Sequence, residues 1–241
     1  MVTAEGATIA LVTGANRGIG RAIALGLARS GLTVVLGARA AGDAAGAARE
    51  LSAFGDVHPI ALDVTDVETV RSAARSVHER WGHLDVLVNN AGINIGYDVP
   101  PSRIQLADMR AVYETNVFGV VSVTHEFLPL LRRSRAPRIV NVSSLRGSLG
   151  SEDAWVGPWS FAYGTAKTAL NAVTAHYARE LAPDGFKVNV AHPGHVATDL
   201  TRGNAPLTPE QGAVIAVKLA TLGSDGPTGQ FFDENGAPLP W

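Results

Sequence analysis

The chain has 241 residues, a formal net charge of −2, 46% hydrophobic and 17% charged residues, and no cysteine. That composition argues against disorder and a coiled coil, and it excludes a disulfide scaffold, thiolate metal sites and cysteine nucleophiles. The balanced charge lacks the basic footprint of a nucleic-acid binder, and no run of about 18 apolar residues is present to span a membrane.

Residues 1–7 lack the basic start and apolar stretch of a leader, so a cytoplasmic protein is expected. Short β-branched runs follow at 8–13, 33–38, 57–62, 84–89, 138–143, 187–192 and 230–232. They show no polar alternation, as in strands covered on both faces. Amphipathic stretches near 18–30, 43–54, 66–81, 105–133, 161–182 and 209–222 predict the intervening helices. This alternation predicts α/β architecture: one doubly wound, Rossmann-type domain over 1–241, with a seven-stranded parallel sheet and helices on both faces.

The first run ends in Thr13-Gly14-Ala15-Asn16-Arg17-Gly18-Ile19-Gly20 and a helix follows. Such a turn lets backbone N–H groups and a helix N-terminus face a pyrophosphate; alternatively it only closes a strand against a helix. Its place at the first βα turn favours a nucleotide. An NAD-selective site would carry an acid at the end of the second strand, yet the sequence there reads Leu36-Gly37-Ala38-Arg39, with no acid until Asp43. Arg39 and Arg17 suit a 2′-phosphate, which points to NADP(H); the other reading is two solvated arginines.

Asn89-Asn90-Ala91-Gly92 closes the fourth strand with small residues against which a ligand can lie. The segments 92–104 and 145–160 emerge where open α/β sheets bind ligands. Asn116 sits mid-helix, where Asn is a mediocre former, so it is either a buried polar group or a surface residue. Ser143 and Ser144 end the fifth strand and either form a turn or hydrogen-bond a carbonyl oxygen.

Tyr163 and Lys167 are four residues apart at the start of a helix and share a face. A nearby ammonium is expected to lower the phenol pKa and so equip Tyr163 as a general acid for a carbonyl oxygen. His192 and His195 lack a third ligand at suitable spacing, so no metal is expected.

Taken together, TGANRGIG at 13–20, Asp63-Val64, NNAG at 89–92, Asn116, Ser143-Ser144, YGTAK at 163–167 and Pro193 to Asp199 resemble the short-chain dehydrogenase/reductase family over almost the whole chain. Asn141 to Ser144 and Pro227 to Phe231 are most similar to its carbonyl-reductase-like members. The resemblance implies that Tyr163 donates the proton, Lys167 lowers its pKa and holds the nicotinamide ribose, Ser144 orients the carbonyl, and Asn116 supports a proton relay. It also implies cofactor contacts from Asp63 and Val64 at the adenine, from Asn90, Ala91 and Gly92, and from Pro193, Gly194, Val196 and Thr198 at the nicotinamide. Residues 8–143 would then hold the cofactor, and 144–241 would supply the catalytic helix and substrate loops.

Two departures from that pattern stand out. The step from Ser144 to Tyr163 is long, and Trp155 and Trp159 within it are expected either to wall the substrate pocket or simply to pack. The segment from Thr198 to the helix near 209 is short, so a flap over the substrate is reduced. Apolar residues on 105–133 and a run of alanines on 161–182 exceed what one face needs, and with the resemblance they imply a homodimer or homotetramer. The expected function is NADPH-dependent reduction of a small ketone or aldehyde. The alternatives are the reverse alcohol oxidation and a non-catalytic nucleotide sensor.

Overall fold

In the first strand Ile9 and Leu11 pack on one face of the sheet, and Ala10 and Val12 on the other. All four are buried, which is why the run reads as continuously apolar. The computed structural model describes residues 6–241, so the leader reading rests in part on positions outside the described residues. The strands are β1 (Ile9–Val12), β2 (Thr33–Ala38), β3 (Val57–Ala61), β4 (Val86–Asn89), β5 (Arg138–Val142), β6 (Lys187–Ala191) and β7 (Phe231–Phe232). They form one sheet in the order β3-β2-β1-β4-β5-β6-β7, and every neighbouring pair is parallel. This is the doubly wound Rossmann-type sheet that the alternating runs predict.

Helices cover both faces. On one, α1 (Gly18–Arg29), α2 (Ala41–Leu51) and α7 (Pro209–Ala220) bury Ile23, Leu27, Leu51 and Leu219. On the other, α3 (Val67–Trp81), α5 (Gly119–Leu131) and α6 (Phe161–Leu181) bury Val77, Phe127 and Leu181. Local chemistry sets several helix ends. Asp66 caps α3 by accepting from Glu68 N at 3.0 Å, and Gly82 ends it at φ +77°. Thr208 and Gln211 form a reciprocal cap on α7, with Pro209 at its first position.

The single helix expected over 105–133 is interrupted. A regular helix α4 (Leu106–Tyr113) passes into a π turn at Glu114–Phe118 and then into α5. The wider turn puts Asn116 on the buried side, and such bulges recur at functional sites.

Strand order reverses between β1 and β4, so connections diverge there to opposite faces and leave a crevice at the strands' C-terminal edge. Among the described residues no helix is long and apolar enough to cross a membrane.

Candidate active site

A cavity of about 1270 Å³ fills this crevice. The positions expected to touch a dinucleotide all line it, from Arg39, Asp63 and Val64 at one end, through the glycine turn and Asn90 to Gly92, to Pro193, Gly194, Val196 and Thr198. Tyr163, Lys167 and Ser144 line its other end.

The glycine turn is held from β4. Thr13 Oγ1 accepts from the N–H groups of Asn90 and Ala91 at 3.0 Å each, and Asn90 Nδ2 donates to the carbonyls of Thr13 and Gly14 at 2.9 and 3.1 Å. This stitching dictates the glycine at position 20. A Cβ there would lie 2.3 Å from both Asn90 Nδ2 and Gly14 O. Gly18 opens α1 at φ +54°, a left-handed conformation, and the helix has no side-chain cap. Its first N–H groups therefore suit the oxygens of a phosphate.

The two arginines differ. Arg17 reaches across the crevice to Asp199, with Nη1 2.7 Å from Oδ2, and both side chains are largely exposed. Arg39 is exposed at the end of β2, where Asp43 lines the same part of the cavity.

At the opposite end, Lys167 is buried and its Nζ donates to Val142 O at 2.8 Å. The ammonium stands 5.5 Å from the centre of the Tyr163 ring. Burial pushes the Tyr163 phenol up to about 12, with a hydrogen bond to Ser144 pulling the other way. Burial pulls Lys167 down to about 8. This corrects the expectation of a lowered phenol pKa. The low-dielectric site disfavours both charges, and the lysine nitrogen is tied to a strand carbonyl.

Ser143 and Ser144 part company. Ser143 is buried and donates to Asn171 Oδ1 at 2.7 Å, while Asn171 Nδ2 donates to Gly147 O at 3.2 Å. Only Ser144 has its hydroxyl beside Tyr163. Asn116 is fully buried and does not line the cavity. Its Oδ1 accepts from Ile93 N and its Nδ2 donates to Ile93 O, both at 2.9 Å. Its side chain thus braces the loop after β4 close to the lysine: a Cβ on Gly92 would lie 3.4 Å from Asn116 Oδ1 and 3.8 Å from Lys167 Nζ.

The expected pocket role for Trp155 and Trp159 fails. They are 64% and 56% exposed, and neither lines the cavity. The insert turns its aromatic rings outward and contributes Asp153, Pro158 and Ser160 to the wall instead. Trp159 serves through its backbone: Asp98 N donates to Trp159 O at 2.8 Å, and Trp159 N donates to Asp98 Oδ1 at 3.3 Å. Those bonds join the two rim segments expected from sequence. Tyr97, on the same rim, lies 5.8 Å below the Arg202 guanidinium.

Sequence reasoning missed Asn94, Tyr97 and Asn171. Asn94 stands as a polar residue between Ile93 and Ile95, directly after the NNAG stretch, and that contrast is a usable signal. Asn171 lies one helical turn beyond Lys167 on the same face, which the spacing also carries.

His192 Nε2 lies 3.9 Å from Glu234 Oε2, and His192 Nδ1 has no partner among the described residues. Burial lowers its pKa, opposed by Glu234 and Asp233. Among the described residues no group of three or more His, Asp or Glu side chains is gathered as a metal site.

Comparison with known proteins gives a consistent picture. The profile of the short chain dehydrogenase family matches residues 8–206. The short-chain dehydrogenase anuI of Penicillium roqueforti is 39% identical over 230 residues, covering 90% of this chain and 89% of that protein. A rhamnolipids biosynthesis 3-oxoacyl-[acyl-carrier-protein] reductase of Pseudomonas aeruginosa is 34% identical, covering 96% and 94%. The NADPH-bound carbonyl reductase from chicken fatty liver superposes with a TM-score of 0.87 at 28% identity, covering 98% of this chain and 99% of that one.

Proposed function

Since the chain belongs to the short-chain dehydrogenase/reductase family, we propose that it is an NADPH-dependent reductase of ketones or aldehydes. The observation that carries this reading is the convergence of Tyr163, Lys167 and Ser144 on one end of a cavity whose middle is the glycine turn. The residues fit NADP(H). The turn admits no Cβ at position 20, α1 presents uncapped N–H groups, and Arg39 stands where an acid would favour NAD. The NADPH in the chicken carbonyl reductase supports the same cofactor here.

Bound NADPH supplies a hydride to the carbonyl carbon. The protein's own residues handle the oxygen. Ser144 hydrogen-bonds it, Tyr163 delivers a proton to it, and the Lys167 ammonium, where protonated, favours the phenolate left behind. Glycine-turn amides and Arg39 would hold the cofactor's phosphates, Asp63 and Val64 would receive the adenine, and Pro193 to Thr198 would receive the nicotinamide; all of these residues line the cavity. Residues 8–143 mainly bind the cofactor, and 144–241 mainly carry the chemistry. The same groups run the reverse alcohol oxidation, and a phenol pushed up to about 12 holds its proton at neutral pH, the form that reduction needs. The intact Tyr163, Lys167 and Ser144 set argues against a purely sensory role.

The reading extends to assembly. Phe118 and Leu106 are 57% and 64% exposed along the α4–α5 rod, and Ala172 is exposed on α6, the helix that packs against α4. A second copy of the chain covering this face makes a homodimer or homotetramer. Light scattering at micromolar concentration checks it, and a species of 25.1 kDa alone contradicts it.

The enzymatic reading is tested with a panel of ketones and aldehydes, following NADPH absorbance. Consumption with at least one carbonyl compound, abolished by Tyr163→Phe, is expected. NADPH binding without turnover of any member overturns the reductase reading.

A further inference from the structure

Where β5 ends, three consecutive residues are each tied to α6 through a polar side chain of that helix. Asn141 Nδ2 donates to Thr174 Oγ1 at 2.8 Å, Lys167 Nζ donates to Val142 O at 2.8 Å, and Ser143 Oγ donates to Asn171 Oδ1 at 2.7 Å. Asn141, Ser143, Lys167, Asn171 and Thr174 are all buried. Farther along α6, Ala178 and Leu181 join the apolar core instead. Apolar burial has no direction, whereas these bonds fix the register of the helix against the strand end.

Asn171 makes one bond more. Its Nδ2 donates to Gly147 O at 3.2 Å, and a carbonyl oxygen only accepts, so the amide has one orientation and Ser143 must donate to Oδ1. One side chain therefore holds the residue before Ser144 and the turn after it. That turn closes on itself. Gly147 N donates to Ser144 O at 2.9 Å, and Arg146 N donates to Ser144 Oγ at 3.2 Å. The second bond uses the serine oxygen as acceptor and leaves its hydrogen to point at Tyr163 or at a substrate oxygen. The turn also lies directly on the helix, because a Cβ on Gly147 would be 2.7 Å from the Lys167 carbonyl carbon. Tyr163, Lys167 and Asn171 follow one another at four-residue steps on one face of that helix.

We propose that Asn171 is a positioning residue for the reduction: by holding Ser143 and Gly147 it sets where the Ser144 hydroxyl points relative to Tyr163. Asn171 does not line the cavity, so it acts through Ser144 and not on the substrate. An apolar pair of the same shape serves stability nearly as well, but it fixes no direction. This inference rests on the reductase reading above.

The test is a double-mutant cycle. The native protein, Asn171→Ala, Ser144→Ala and the double variant are compared by kcat at saturating NADPH and by NADPH affinity from fluorescence titration. Rates are taken with the fastest member of the carbonyl panel, which includes 2,2,2-trifluoroacetophenone and benzaldehyde. Misplacing a reacting group by about 1 Å costs up to about a hundredfold, so Asn171→Ala is expected to lower kcat at least about tenfold. NADPH affinity should change less than about threefold. In the Ser144→Ala background the same substitution should lower kcat less than about threefold, because the group it positions is gone. A merely loosened fold lowers kcat by the same factor in both backgrounds. If Asn171→Ala fails to fold, Ser143→Ala replaces it under the same criteria, since it cuts the same tie from the strand side and deletes a single hydroxyl. Near-native turnover, or an equal fall with and without the Ser144 hydroxyl, overturns this inference and leaves the reductase reading standing. Native protein that binds NADPH and reduces no panel member counts against both.

Discussion

Lys167 Nζ donates to Val142 O at 2.8 Å, which ties the catalytic helix to the last residue of β5 before the serine pair. The nitrogen and the Ser144 hydroxyl are thus positioned from the same strand end, and Ser144 in turn hydrogen-bonds the Tyr163 phenol. Tyr163→Phe removes only the proton donor. Turnover should fall at least about a hundredfold, within the range for general acids. NADPH affinity, read by fluorescence titration, should change less than about threefold, a difference well under 1 kcal/mol.

The pH dependence follows from the two buried groups. Lys167 is protonated below about 8 and loses its charge as pH rises through that value, whereas Tyr163 holds its proton to about 12. The alkaline fall of kcat/KM for NADPH in the reductive direction should thus be centred near pH 8 and report Lys167. Lys167→Arg keeps its charge at all accessible pH and should move that limb upward. A limb left in place by Lys167→Arg would assign it to another group.

Lys167 also bears on stability. Its folded pKa lies below the ordinary 10.5, so the unfolded chain binds more protons between about 8 and 10.5. Stability contributed through this group should rise with pH across that window. Lys167→Met should remove this part of the rise, as read from urea midpoints at pH 8 and pH 10.

Cofactor choice turns on β2. Arg39→Leu with Ala38→Asp removes a phosphate partner and presents a carboxylate to ribose hydroxyls. One lost charge-assisted contact is worth about 1.5–3 kcal/mol, so the NADPH to NADH ratio of kcat/KM should fall at least about tenfold. Arg17 is paired with Asp199, so a single Arg17→Leu should matter less than Arg39→Leu. Equal use of both cofactors by the native protein would refute this assignment.

The glycine turn gives a steric prediction. Gly20→Ala forces a methyl against Asn90 Nδ2 and Gly14 O, both at 2.3 Å from its ideal position. Overpacking of this kind costs about 1–3 kcal/mol. For a chain of this size that lowers Tm by several degrees, at about 2–4 °C per kcal/mol. NADPH affinity should fall with it. Gly42→Ala, in the first turn of α2 where nothing lies within 4 Å, is the control and should leave NADPH affinity unchanged and Tm the same or slightly higher.

What was legible in the sequence was what local periodicity and short motifs encode. Leu11 and Val12 are buried on opposite faces, so β1 announces itself as an unbroken apolar run. Tyr163 and Lys167 meet because a helix puts i and i+4 together. The π turn at Asn116 left no such trace, since one widened turn changes neither composition nor the apolar pattern. Trp155 and Trp159 misled because aromatic residues near a site suggest a wall. The place of Trp159 is fixed instead through its main chain, by long-range hydrogen bonds with Asp98. The raised phenol pKa was likewise illegible, because burial is a property of the packed site and not of the Tyr163–Lys167 spacing.

The Asp98–Trp159 tie has a consequence for any effort to change substrate choice. The residues are 61 positions apart, yet each bonds the other's main chain or side chain across the rim. The segments after β4 and β5 are therefore a single exchangeable part that happens to be encoded in two places. A graft that replaces one of them leaves the other without its anchor and gives a loosened mouth with no new selectivity. Libraries that vary both together, with the 98–159 junction kept, sample mouths the scaffold can hold.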